Sequence, residues 1–107
     1  HPDFGRTVMR VLDVLEPRRS LLRVLLNEVP RLGPDDAREV LNRRVYDSFR
    51  LAMLAAGRNG ADVEARCWAA GTIARTLPVR YVLDQPDFSR EQLISTMSSA
   101  LSALVDA

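Results

Sequence analysis

The chain holds almost none of the residues that build catalytic or metal centres. It has one cysteine, Cys67, in 107 residues, which excludes an internal disulfide and leaves a thiolate metal site without a second ligand. Its one histidine is His1, at a terminus where chains fray, so a histidine base or a histidine metal cluster is excluded. Lysine is absent: all fifteen basic residues are arginine, a bias that reads as genomic composition. With 14 acidic residues against them the net charge is +1, and no strongly basic face for nucleic acid is expected. Neither standard Gly-rich phosphate loop occurs. No apolar run approaches the roughly 18 residues of a membrane span, and the start lacks the basic and apolar regions of a signal peptide. A cytoplasmic protein with no membrane partner is therefore expected. His1-Pro2-Asp3-Phe4 opens without an initiator Met, as a processed, tagged or truncated piece of something longer would.

What is present is a globular composition. Hydrophobic residues make up 47% and charged ones 27%, too apolar for a disordered chain, and the length suits one domain around one core. Strand-like alternation is missing and helical spacing recurs throughout, so the expected fold is all-α, with about five helices in a single domain over residues 1–107. The first helix runs from about Thr7 to Glu16 with Val8, Val11, Leu12 and Leu15 on one stripe. Pro17 stops or kinks it and can open a second helix to Val29, with Leu21, Leu22, Leu25 and Leu26 inward. Pro30, Gly33 and Pro34 end that helix. A third, from about Pro34 to Ala56, opens with Asp35 and Asp36 where the dipole favours negative charge. Val40, Leu41, Val45, Phe49, Ala52, Met53 and Ala56 form its inward side, while Arg38, Glu39, Arg43, Asp47 and Arg50 stay wet. Gly57-Arg58-Asn59-Gly60 is a turn. The fourth helix takes Asp62 as N-cap and reaches about Leu83, with Pro78 expected to bend it. After the breaker segment from Asp84 to Phe88, Ser89 and Gln92 read as a capping box for a fifth helix ending near Asp106.

The fourth helix has two apolar faces when plotted at about 100° per residue. One collects Val63, Cys67, Ala70, Ala74, Leu77 and Tyr81; the other collects Ala65, Trp68, Thr72, Thr76, Val79 and Leu83. The fifth gathers Leu93, Ile94, Met97, Leu101, Leu104 and Val105 on one side and the hydroxyls of Ser95, Ser98, Ser99 and Ser102 on the other. Small uncharged side chains let another backbone approach, whereas a freely solvated helix face usually carries long charged residues. A two-fold, four-helix interface follows, since isologous dimers are the commonest oligomers. Its expected residues are Ala65, Thr76, Val79 and Leu83 from the fourth helix, with Ile94, Met97, Ser98, Leu101 and Val105 from the fifth. The alternative is that one subunit buries both faces of the fourth helix and the serines simply face water.

No catalytic constellation emerges, and neither an enzyme, a cofactor nor a metal is expected. Asp35 and Asp36 diverge as neighbours on a helix. Cys67 sits mid-helix on an apolar face, as a buried inert thiol would. Met9, Tyr46, Phe49, Met53, Trp68 and Tyr81 are large, adaptable side chains that could line a pocket beside Thr72, Thr76 and Arg75, or could be ordinary core.

Leu22-Arg23-Val24-Leu25-Leu26-Asn27-Glu28-Val29-Pro30-Arg31-Leu32, followed by Gly33-Pro34-Asp35, resembles the Leu-rich helix ending in Glu-Ala-Pro-Arg-Phe of TetR-family regulators. The stretch from Tyr81-Val82-Leu83-Asp84-Gln85-Pro86 to Asp87-Phe88-Ser89-Arg90-Glu91-Gln92-Leu93 resembles that family's link between its last two long helices. The resemblance implies the effector-binding and dimerisation half of a transcriptional repressor, a homodimer that reaches DNA only through an N-terminal helix-turn-helix domain missing from this chain. It implies a connector in the first helix and a small, mostly apolar or aromatic effector held among that connector and the next three helices. Inward direction and the resemblance together select Leu12, Leu22, Leu26 and Tyr46, with Phe49, Met53, Trp68 and Thr72, as pocket residues. Gly33 after Leu32 and Pro78 in the penultimate helix depart from the family pattern. The rival readings are a helical dimerisation or adaptor module with no small-molecule ligand, and a small helical enzyme, which would need a cleft of perturbed titratable groups.

Overall fold

The computed structural model describes residues 3–28 and 36–106, and the side chains of all of these except residues 27, 28 and 36–41. Among the described residues every regular element is helical and there is no strand. The helix end expected at Val29 to Pro34 lies outside the described residues, as do Asp35 and the side chains of Asp36, Arg38, Glu39, Val40 and Leu41.

Helix α1, Phe4–Leu15, starts a turn earlier than its apolar stripe indicates, because the Asp3 carboxylate accepts the Arg6 amide at 3.0 Å. The extra turn brings Phe4 onto Phe49, ring centroids 5.9 Å apart. Val8 and Leu12 are buried beneath it, whereas Val11, expected inward, is exposed. Pro17 does not end the rod. It sits in a 3-10 turn, Glu16–Arg18, flanked by right-handed helical dihedrals at Leu15 and Arg19, and the chain continues into α2, Arg19–Glu28. The first two expected helices are thus one rod interrupted by a 3-10 turn, giving four rods in place of about five separate helices. Of the α2 leucines expected inward, Leu22 packs on the core but Leu21, Leu25 and Leu26 are exposed.

Helix α3, Asp36–Ala55, puts Phe49 and Met53 in the core with Val45 and Ala52 packed beside them. It ends in a Schellman motif: the Arg58 amide donates to Met53 O at 2.9 Å and the Gly57 amide to Leu54 O at 3.0 Å. Gly57 takes the positive φ, +78°, that this cap requires. Helix α4, Val63–Asp84, has Asp62 at its N-cap position, but the Asp62 carboxylate turns to Arg66 Nε at 2.8 Å and caps nothing. That bond holds the Asp62 carboxyl below the usual carboxylate value. Pro78 is buried within α4 and the helix runs on to Asp84, closing on Gln85 in the left-handed region. Helix α5, Arg90–Asp106, opens with the expected reciprocal box: the Ser89 amide donates to Gln92 Oε1 at 2.8 Å and the Gln92 amide to Ser89 Oγ at 3.2 Å.

Helices α1, α3, α4 and α5 converge on one core, with α3 lying chiefly on α4 and α5 on both α1 and α4. Arginine ties the ends together. Arg58 Nε donates to Val105 O at 3.1 Å and Arg66 Nη1 to Leu104 O at 3.0 Å, occupying last-turn carbonyls of α5 that have no helical partner. Arg19 does the same for α4, with Nε on Val82 O at 3.0 Å and Nη2 on Leu83 O at 3.1 Å. Arg90 reaches from the start of α5 to Asp13 at 2.5 Å, Glu16 at 2.7 Å and Met9 O at 3.3 Å. A forked guanidinium can take two such acceptors at once where an ammonium cannot hold the same plane. At these four positions arginine therefore has a structural use beyond composition.

Candidate functional site

The two faces of α4 have different fates. Val63, Cys67 and Ala70 of the expected inner face are buried, joined by Gly71, Pro78 and Val82, which the apolar pattern does not single out. Gly71 lies under α3, where a Cβ would meet Val45 Cγ1 at 3.9 Å. On the opposite face Ala65 is exposed, Trp68 stands 66% exposed, and Thr72, Thr76, Val79 and Leu83 are only half-buried. Small side chains make this stripe shallow, and Trp68 projects from one end of it.

Helix α5 corrects the expected interface. Met97, Leu101 and Val105 are buried in this chain's own core and cannot meet a partner. Ile94 and Ser98 lie against α1, within 3.7 and 3.8 Å of where a Gly5 Cβ would sit. The apolar side of α5 is therefore spent on α1 and α4, and what it offers outward is Ser95, Thr96, Ser99 and Ala103. Periodicity finds an apolar face but does not say which neighbour covers it.

The eight pocket candidates separate into three groups. Leu12 and Met53 are completely occluded, and Phe49 is buried against Phe4, so these three fill the core; Leu22 packs half-buried against it. Leu26 and Trp68 are exposed, and Thr72 belongs to the outer stripe of α4. Tyr46 lines an open surface cleft of about 430 Å³ together with Asn42, Arg43 and Asp47. Its hydroxyl donates to the Glu64 carboxylate and accepts from Arg50 Nη2 at 2.9 Å. The Arg50 guanidinium, 5.1 Å from the Tyr46 ring centroid, also pairs with Glu64. Sequence spacing places Tyr46 and Arg50 four apart on α3, but gives no sign that Glu64 of α4 joins them. A second open cleft, about 270 Å³, lies between the bend and the end of α4, lined by Glu16, Arg19, Tyr81, Val82, Gln85 and Pro86.

Cys67 is buried with its Sγ 3.7 Å from Met53 Sδ, and desolvation pushes its thiol pKa up, away from the thiolate a nucleophile needs. Among the described residues no helix is long and apolar enough to cross a membrane. No family model matches the chain, and no curated protein or solved structure matches it either.

Proposed function

We propose that the chain is the ligand-sensing and dimerisation domain of a TetR-type transcriptional repressor, a cytoplasmic homodimer that touches DNA only through a separate helix-turn-helix domain. The observation that carries the reading is the outer stripe of α4, in which Ala65 and Trp68 are exposed and Thr72, Thr76, Val79 and Leu83 half-buried, together with the exposure of Ser95 and Ser99 on α5. Two such surfaces brought together by a two-fold axis give a four-helix interface in which each stripe covers its twin. Trp68 then acts as an interface anchor in place of the pocket role its helix position first indicates. The domain has no catalytic part in this account.

The effector is small and mostly apolar or aromatic. The open cleft at Tyr46, with Asn42, Arg43 and Asp47 around it, is where we place it, since a few polar side chains beside an aromatic ring can orient such a ligand. To regulate, the effector must bind two states with different affinity, and the spacing of two DNA half-sites makes a modest tilt of the connector α1 sufficient.

A thermal-shift panel of planar aromatic compounds tests this. A binder present at about 100 times its Kd adds about 2.7 kcal/mol to the folded state, a rise of roughly 10 °C in the midpoint for a domain of this size. Tyr46→Ala should abolish that rise and leave the dimer intact. A panel with no binder, set against an intact dimer, favours the second reading, a helical dimerisation or adaptor module. Complete burial of Leu12 and Met53, which leaves the centre of the domain filled, is the observation on its side.

A further inference from the structure

We propose that α2 is a flap, hinged at the 3-10 turn Glu16–Arg18 and pinned to the end of α4 by Arg19. The rod α1–α2 is interrupted midway by a tight turn carrying Pro17, which has no amide to give to the helical ladder; mid-rod 3-10 stretches are where helices pivot. The two arms are held unequally. On the α1 side, Phe4, Val8 and Leu12 are buried and Arg90 grips Met9 O, Asp13 and Glu16. On the α2 side, Leu21, Val24, Leu25 and Leu26 are between 45% and 56% exposed, and Leu22 is the described apolar side chain that reaches the core.

Among the described residues, what fastens α2 besides Leu22 is the pair of hydrogen bonds from Arg19 to Val82 O and Leu83 O. These acceptors suit a releasable pin. They are last-turn carbonyls without helical partners, and Pro86, four residues after Val82, has no amide to offer it. When Arg19 leaves, water can take its place from the open cleft lined by Glu16, Arg19, Tyr81, Val82, Gln85 and Pro86. Opening swings Leu22 off the core and uncovers the end of α4 while α1, α3, α4 and α5 stay packed. The flap does not depend on the identity of any effector.

Hydrogen exchange of the full chain, followed residue by residue at rising denaturant, tests the flap directly. In the unaltered protein α2 amides should exchange through an opening less costly than global unfolding and nearly insensitive to denaturant, while buried stretches of α4 and α5 follow the global limit. Arg19→Met keeps the aliphatic length and removes the donors; α2 exchange should rise about tenfold with α4 and α5 unchanged. Arg90→Met should loosen α1 against α5 and leave α2 near its original rate. The proposal is overturned if α2 exchanges together with α4 in the unaltered protein, or if Arg19→Met either changes nothing or speeds all helices alike.

Discussion

Replacing Leu12 with alanine should lower the free energy of unfolding by about 3 kcal/mol and the thermal midpoint by roughly 15 °C. Leu12 is 0% exposed at the middle of α1, within the cluster that also holds Phe49, Met53 and Cys67. Truncation there removes the buried methyl groups and leaves a cavity that the surrounding helices cannot easily close. Arg90 and the Phe4–Phe49 stack hold α1 on both sides of the gap. The experiment also decides what Leu12 is for. A side chain bordering a ligand cavity has already given up much of its packing, so its loss costs clearly less than that. Urea unfolding of the variant separates the two cases, with Leu26→Ala as the contrast: that side chain is exposed and its removal should cost about 0.5 kcal/mol or less.

Trp68→Ala should do the opposite: leave the folded subunit nearly as stable and weaken the proposed dimer by about 30-fold or more, the scale of an interface anchor worth about 2 kcal/mol. At 66% exposure the indole contributes little to the subunit's own core. If α4 pairs with its twin, that same indole becomes the largest apolar group buried by the association, flanked by Ala65 and Thr72 whose small size lets the helices approach. Sedimentation velocity over a dilution series reads the weakening, and circular dichroism melts read the subunit. A variant that loses subunit stability but keeps its self-association would assign Trp68 to the core and remove it from the interface.

Much of the architecture was legible because it depends on local rules. The capping box at Ser89 and Gln92, the turn after Ala55 and the breaker after Asp84 each follow from two or three neighbouring residues, and each is where the sequence placed it. Errors came where a distant partner decides. Pro17 leaves a stop and a kink open, and the chain runs on through it in a 3-10 turn, with Arg19 and Arg90 holding the rod on either side. Asp62 occupies the capping position, yet Arg66, itself aimed at the end of α5, takes its carboxylate first. Leu21, Leu25 and Leu26 look inward by periodicity, but nothing in the described chain reaches far enough to cover them.

The candidate site was less legible for the same reason. Helical spacing correctly found two apolar faces on α4 and one on α5, but it assigned Met97, Leu101 and Val105 to a partner when α1 and α4 already bury them. It also drew Leu12, Met53 and Phe49 into a pocket when they fill the core, while Glu64, the cross-helix partner of Tyr46 and Arg50, carries no mark in the sequence.

The claim underlying the proposed function is that α4 presents more apolar surface than one subunit covers. Sedimentation equilibrium of the unaltered domain at micromolar concentration tests it most directly. The account predicts a species of about twice the 12.0 kDa chain mass that dissociates only on strong dilution. A single 12.0 kDa species, unchanged as concentration rises, would contradict it.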